Sequence, residues 1–267
     1  MNEVFDIKRL GKLLRYEMVN YIPNFFKSIL IFASVIAAVW ILSLVVDIDF
    51  MSASRQGLVG TLFTLAVALS PFIVYKDMNN RRKGYLYAMM PASTLEKLVS
   101  MILLCVIVVP VLSYAVLTGT DLLLWLLTKT GMGSFYSIEF FNPFSDDVVK
   151  FANLENSYQL LDSILYYVNI VAYTIMFNTI FRKNKVLKTI LFNISVTFAL
   201  VILTAFVANM TSPEFWEELF RPLVEHLERM TDVEAFSYVM ITVRCLCVLS
   251  SSLFLAISYF RIKKVNY

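Results

Sequence analysis

The chain has 267 residues, 59% of them hydrophobic, and its mean hydropathy is +0.71. These values lie outside the range of soluble domains and indicate an integral membrane protein. The net charge is only +3, from 23 basic and 20 acidic residues. Three cysteines, all inside apolar runs, argue against a disulfide framework and indicate small hydrophobic packing groups.

Six apolar runs of 18 to 25 residues follow one another along the chain. They cover residues 28–46, 57–75, 98–118, 164–181, 189–208 and 236–260. Each is long enough, at about 1.5 Å per residue, to cross a hydrocarbon core of about 30 Å. The sequence therefore predicts an all-α integral membrane protein in which residues 1–267 form a single membrane domain with six transmembrane helices.

The basic residues lie mainly on one predicted side of the membrane. Seventeen of the 23 fall before the first run, between the second and third, between the fourth and fifth, or after the last. These segments carry five acidic residues and a net charge of +12, whereas the opposite segments carry five basic and 15 acidic residues. Because positive charge is retained in the cytoplasm during insertion, both termini are predicted to be cytoplasmic. The basic clusters suit anionic membrane lipid, and their division among four juxtamembrane segments argues against nucleic-acid binding.

The segment before the first run has a helical pattern. Ile7, Leu10, Leu14 and Met18 recur at helical spacing, and basic residues surround them. This pattern predicts an N-terminal amphipathic elbow helix within residues 1–27, lying in the inner interface until the chain turns up at Pro23. A disordered basic tail is the alternative, and the regular apolar spacing disfavours it.

The connection between the second and third runs has the most specific local pattern. Ser93 or Thr94 can cap a helix whose first turn carries Glu96 and Lys97. Pro91 gives that helix a rigid entry. A plain loop with a helix cap is the alternative interpretation, and local chemistry alone does not decide between it and a functional turn.

Two outer connections are long. After the third run, Asp121 begins an apolar stretch that would extend the third span beyond the bilayer. Before the last run, Pro213 follows Ser212 and begins a segment with apolar residues every four positions. This predicts an outer amphipathic helix before the last span, kinked at Pro222.

Four polar residues lie within the predicted spans and form a possible intramembrane polar site. They are Asn169, Asn178, Asn193 and Arg244. The asparagines are interpreted first as interhelical hydrogen-bonding groups. For Arg244 we favour snorkelling to the outer edge, or pairing with Asp232 or Glu234, over the alternative of a substrate contact.

Catalytic patterns are absent from the sequence. It has no HExxH, no GxSxG and no GxxxxGK[ST], and its one histidine, His226, lies in the predicted outer helix. The chain is therefore predicted not to be an enzyme and to hold no metal or cofactor. Any ATP would be bound by a partner subunit.

The turn before the third run resembles a known family. Met90-Pro91-Ala92-Ser93, followed by Glu96-Lys97, is similar to the cytoplasmic turn of type-2 ABC exporter permeases, which include bacterial drug and peptide exporters. Thr94 stands where that family usually has Arg or Lys. The resemblance covers the whole chain in layout and this one segment in residues.

The resemblance implies a membrane-spanning permease subunit in the bacterial cytoplasmic (inner) membrane, working with a separate ATP-binding subunit. It also implies a second permease copy, in a homo- or heterodimer. Pro91, Ala92, Ser93, Thr94, Glu96 and Lys97 would form the turn that couples to the ATPase. We expect Glu96→Lys with Ser93→Pro to abolish that coupling and to preserve insertion and expression.

A non-transporting scaffold, accessory or sensing protein is the alternative function. The spans carry little intramembrane charge, which ion-coupled carriers usually need, although a large apolar export substrate would not require it. A neighbouring gene for an ATPase would favour the exporter.

Overall fold

The structure, a computed structural model, describes residues 5–46, 52–78, 84, 87, 89–128, 156–210, 215, 221–222 and 232–264. Its long elements are all helices: α1 (Ile7–Val46), α2 (Ser52–Val74), α3 (Thr94–Leu103), α4 (Val109–Thr128), α5 (Asn156–Ile180), α6 (Lys185–Met210) and α7 (Asp232–Lys264). A π-helical turn, Leu104–Val108, joins α3 to α4, so these three pieces form one third spanning helix. Six helices are long and apolar enough to cross a membrane, which confirms the predicted all-helical, six-span architecture.

The first helix differs from the expectation. The sequence predicted a separate elbow helix and a turn at Pro23, but α1 is one helix of 40 residues that continues through Pro23. A proline lacks the N–H that would bond to the carbonyl four residues earlier, and membrane helices tolerate this loss. The leader buries Leu10, Leu13 and Glu17, so contacts with other helices orient it in the structure.

The third spanning helix is longer than its apolar run. It begins at Thr94, immediately after Ser93, and continues to Thr128. The prediction that the stretch after Asp121 extends this span is confirmed. The predicted outer amphipathic helix, from Pro213 onward, falls mostly outside the described residues.

The buried core lies among α1, α2, the third spanning helix and α5. Its fully buried members include Phe25, Ile29, Met101, Leu104 and Ile175. A smaller cluster around Phe72, Met176 and Phe177 joins α7 to α5. By contrast, α6 is exposed at every position from Leu191 to Phe206. Its all-round apolar surface fits a helix that faces lipid tails.

One end of the bundle collects the helix ends that carry the basic segments. The start of α1 touches the start of α3, since the Asp6 N–H donates to Glu96 at 2.8 Å. The end of α7 touches the end of α5, since Arg261 donates to the Ile180 carbonyl at 3.4 Å. We call this the inner end, and the opposite end the outer end. That the inner end faces the cytoplasm remains the prediction made from charge.

Candidate functional site

The turn before the third spanning helix forms a reciprocal helix cap. The Glu96 N–H donates to the Ser93 hydroxyl at 3.2 Å, and the Ser93 N–H donates to the Glu96 carboxylate at 2.8 Å. The sequence predicted a cap at Ser93 or Thr94, and the structure has a capping box with Ser93 as the N-cap. It fixes the angle at which the chain enters α3. We call the segment Pro91–Lys97 the coupling turn, after the role that the resemblance predicts for it.

Glu96 also fastens the coupling turn to α1. Its carboxylate accepts the Asp6 N–H at 2.8 Å and lies 3.1 Å from an Arg9 guanidinium nitrogen. The Glu96 side chain is fully buried, whereas that of Arg9 is 30% exposed. A single carboxylate thus satisfies donors from two helix starts and compensates for its own burial.

A second buried carboxylate lies deeper in the bundle, on α1. Glu17 is fully buried and accepts the Tyr75 hydroxyl at 2.9 Å and the Ser100 hydroxyl at 3.2 Å. Tyr75 follows the end of α2, and Ser100 is on α3. Glu96 therefore reaches from α3 to α1, and Glu17 reaches from α1 back to α3, so the two helices are cross-linked at two levels.

Tyr75 extends this network to α5 and α6. The Lys185 ammonium, at the start of α6, donates to the Tyr75 carbonyl at 3.0 Å and to the Asn178 side-chain oxygen of α5 at 2.6 Å. Nearby, the Lys97 ammonium lies 5.3 Å from the centre of the Tyr87 ring, within cation–π range. We call Glu17, Tyr75, Glu96, Lys97, Ser100 and Lys185 the inner polar cluster.

An exposed apolar edge lies at the coupling turn and consists of Pro91, Leu95 and Met89, which lies two residues before the turn. Met89 is 77% exposed and Leu95 is 46% exposed, and Pro91 is also exposed. Ala92, Ser93 and Thr94 are half-buried, whereas Glu96 and Lys97 are buried. A partner subunit at this end would therefore touch the apolar residues. Glu96 and Lys97 would not touch it and would support the turn from inside the bundle.

This arrangement corrects the expected behaviour of the double variant of Glu96 and Ser93. Glu96→Lys would place an ammonium beside Arg9 and remove the acceptor of three donors. Ser93→Pro would remove the capping hydroxyl and the N–H that Glu96 accepts. The variant would lose folding stability, so it cannot separate coupling from insertion and expression.

The predicted intramembrane polar residues do not meet at one place. Asn169 donates to the Ser250 and Ser251 hydroxyls at 2.5 and 3.0 Å, which links α5 to α7. Asn193 accepts the Tyr173 hydroxyl, which links α6 to α5. Asn178 of α5 accepts the Lys185 ammonium of α6, which belongs to the inner polar cluster. Each asparagine makes the kind of bond between helices that the sequence favoured, and the four residues form no common site.

Arg244 pairs with a carboxylate that the sequence did not identify. Its guanidinium makes two hydrogen bonds with Asp162 of α5, at 2.5 and 3.0 Å, and the side chains are 20% and 8% exposed. The expected partners, Glu234 and Asp232, lie on the same helix about 15 and 18 Å away along its axis. They are too far because α7 begins at Asp232 and not at the start of a shorter span. A mostly apolar pocket beside the pair is also lined by Tyr166, Met240 and Cys247.

Comparison with known proteins gives no relative from which a role could be transferred. No protein-family model, curated protein or solved structure matches the chain. The candidate site therefore stands on the geometry of its residues. Among the described residues, no group of three or more His, Cys, Asp or Glu side chains could hold a metal ion.

Sequence reasoning missed Glu17, although a signal for it exists. Leu10, Leu13 and Glu17 follow the i, i+3, i+7 spacing of one helix face, and a carboxylate at the third apolar position of such a face is unusual. Tyr75 and Lys185 had no comparable signal, because each lies at a helix end where polar residues are common. Asp162 was hidden because its segment was assigned to the outer connection.

Proposed function

We propose that this chain is the membrane-spanning permease subunit of an ATP-driven exporter of the bacterial cytoplasmic membrane, working with a separate ATP-binding subunit. The observation that carries the proposal is the fastening of the coupling turn to α1 through buried Glu96. A push or pull on the exposed edge of the turn reaches α1 and α3 together, because Glu96 and Glu17 cross-link them. An isolated loop and helix cap would need no such links.

The inner polar cluster then spreads the movement beyond these two helices. Tyr75 joins Glu17 to the end of α2, and its carbonyl joins α2 to α6 through Lys185. Closure of ATPase subunits against the coupling turn would shift the inner ends of several spans at once. Such a shift is what alternating access to a substrate path requires. The chain carries no ATP-binding pattern of its own, so the energy must come from the partner.

Two further partners belong to the proposal. A second permease copy, identical or related, would complete the substrate path, since transport would run between or beside the two halves. Membrane lipid would cover the apolar surface of α6, and anionic lipid would face the basic residues of the inner end.

A non-transporting scaffold or sensing protein is the second candidate, and one observation favours it. The polar residues within the spans are satisfied by neighbouring helices: Asn169 by α7, Asn193 by α5 and Arg244 by Asp162. A scaffold needs only such structural bonds. An exporter of a large apolar substrate also needs few charged groups along its path. The presence or absence of an ATP-binding partner therefore distinguishes the exporter from the scaffold.

Purification of the native complex tests the proposal. The chain, tagged and expressed in its own host, is extracted in mild detergent, and the co-purifying proteins are identified. We expect an ATP-binding subunit to co-purify, and Met89→Asp with Leu95→Asp to reduce its yield strongly, because both side chains lie on the exposed edge of the turn. Lys183→Asp, at an exposed position of the inner end, is the matched control and should retain the subunit. Purification without any ATP-binding protein would contradict the exporter and favour the scaffold.

A further inference from the structure

Three prolines interrupt the first three spanning helices at nearly the same depth. They are Pro23 in α1, Pro71 in α2, and Pro110, which follows the π-helical turn Leu104–Val108. Each of two prolines lies closer to the outer end than a tyrosine on, or directly after, its own helix. Pro23 is two residues from Tyr21 and Pro71 is four residues from Tyr75, which is about 3 and 6 Å along the helix axes. The rings of Tyr21 and Tyr75 are in edge contact at 5.7 Å, so these two prolines are almost level.

The break in the third spanning helix lies at the same level. The π-helical turn contacts α2, and its Cys105 belongs to the same buried core as Val67, four residues before Pro71. A π-helical turn and a proline are two of the few features that bend helices sharply. The three helices therefore share one layer in which backbone hydrogen bonding is interrupted.

Hydroxyl groups replace the backbone bonds that two of the prolines remove. Pro110 cannot donate to the Val106 carbonyl, and Tyr167 of α5 donates to the Cys105 and Val106 carbonyls at 2.7 and 3.3 Å. Pro71 cannot donate to the Val67 carbonyl, and Ser70 donates to it at 2.8 Å. Side-chain donors of this kind satisfy broken helices in membranes. Exchanging such a side-chain donor breaks no backbone hydrogen bond of the helix. Bending the helix at these positions therefore costs less free energy than bending a continuous helix.

Below this layer, the inner ends of the three helices are linked to one another. Glu96 joins the start of α3 to the start of α1, and Glu17 joins α1 to Ser100 and to Tyr75 after α2. These links are buried and each carboxylate accepts several donors. Buried polar contacts therefore hold the inner ends of the three helices together.

We propose that the inner ends of the first three spanning helices form one rigid body that pivots on the layer of Pro23, Pro71 and Pro110. The Tyr167 hydroxyl connects this layer to α5, because it bonds to the third spanning helix where that helix lacks its own backbone hydrogen bonds. The pivot is a property of this chain alone. It would stand if no ATP-binding subunit were found, and the co-purification experiment could succeed without it.

Distance measurements between paired spin labels test the pivot in the full chain reconstituted in lipid. An inner pair replaces Leu95 of α3 and Lys183 after α5 with labelled cysteines, and an outer pair replaces Leu123 of α4 and Leu161 of α5. All four positions are exposed. Cys245 and Cys247 are first replaced by alanine, and Cys105 is kept because it is fully buried.

We expect Pro110→Ala to narrow the distance distribution of the inner pair and to leave that of the outer pair unchanged. Alanine restores the N–H that bonds to the Val106 carbonyl, so the third helix stiffens at the pivot. Tyr167→Phe should widen the inner distribution, and the effect should disappear in the Pro110→Ala background, where Val106 has a backbone donor again. Tyr166→Phe, the neighbouring residue on α5, is the control and should change neither pair.

Inner distributions that stay unchanged in both Pro110→Ala and Tyr167→Phe would overturn the pivot. So would equal changes in the inner and outer pairs, since the inner ends would then not move as a separate body. If Tyr167→Phe does not fold, Pro71→Ala provides the second variant, because it restores the donor to Val67 in α2. It should narrow the inner distribution in the same way, and no narrowing in either proline variant would equally contradict the proposal.

Discussion

The inner and outer ends of the bundle bury charged groups in different ways. At the inner end, Glu17 and Glu96 each accept hydrogen bonds from several groups on at least two chain segments. At the outer end, Asp162 pairs with Arg244, which links α5 to α7. A carboxylate that accepts several donors connects several chain segments, whereas an ion pair connects two.

This difference separates two roles that buried charge has in a membrane protein. The outer pair neutralises an arginine that would otherwise be costly inside a span, and it locks two helices together. The inner carboxylates instead connect the surface of the coupling turn to helix ends that are far apart in the sequence. If the connection matters for function, a second substitution should restore folding stability at the outer end and should not restore it at the inner end.

The largest effect is expected for Glu96→Ala. The change leaves the Asp6 and Ser93 N–H groups and the Arg9 guanidinium without their shared acceptor, and the expected loss is about 3 kcal/mol of folding stability. This corresponds to a fall of roughly 6–12 °C in the unfolding temperature of the purified protein in detergent. No second substitution, Arg9→Met included, should restore it, because backbone donors remain unpaired. Leu95→Ala, one residue away and 46% exposed, is the control. Recovery in the double variant would reduce the inner end to a simple ion pair.

A smaller loss is expected for Asp162→Ala at the outer end. It leaves Arg244 in the span without its carboxylate, and because the arginine is 20% exposed we expect a cost of about 2 kcal/mol. Here compensation should work: replacing Arg244 by methionine in the same chain should recover most of the unfolding temperature. A double variant as unstable as Asp162→Ala would mean that the pair is part of a wider network. The comparison between the two ends would then fail.

The smallest effect is expected for Asn169→Ala. Its hydroxyl partners, Ser250 and Ser251, also donate to the Cys247 carbonyl of their own helix, so they keep a hydrogen bond when Asn169 is removed. The expected loss is about 0.6 kcal/mol, typical of one such bond between membrane helices. Thermal unfolding of the variant beside Asp162→Ala should rank them clearly. An effect as large as that of Asp162→Ala would indicate that Asn169 does more than join α5 to α7.

The sequence predicted what depends on neighbours along the chain. Six long apolar helices and a helix cap at Ser93 or Thr94 follow from local spacing, and both are present. Contacts between distant residues were not predictable in this way. For Arg244 the sequence favoured snorkelling or pairing with the nearby Asp232 or Glu234, but its partner Asp162 is 82 positions away in sequence.

The elbow illustrates the same limit. An apolar stripe among basic residues is equally suitable for a membrane surface or for other helices, and only the packed structure shows Leu10, Leu13 and Glu17 buried within the bundle. The three prolines, Pro23, Pro71 and Pro110, can likewise be read directly from the sequence. That they lie at one depth depends on how the three helices are aligned, and no local pattern encodes this alignment.

We propose that the exposed edge of the coupling turn receives an ATP-binding subunit. Incorporation of a photo-crosslinking amino acid at Met89, in cells of the native host, tests it most directly. Met89 is 77% exposed at the inner end, and Leu161, 48% exposed at the outer end, is the control position. The account predicts a covalent adduct with an ATP-binding protein from Met89 and none from Leu161. An adduct with such a protein from Leu161, or adducts from Met89 that never contain one, would contradict it.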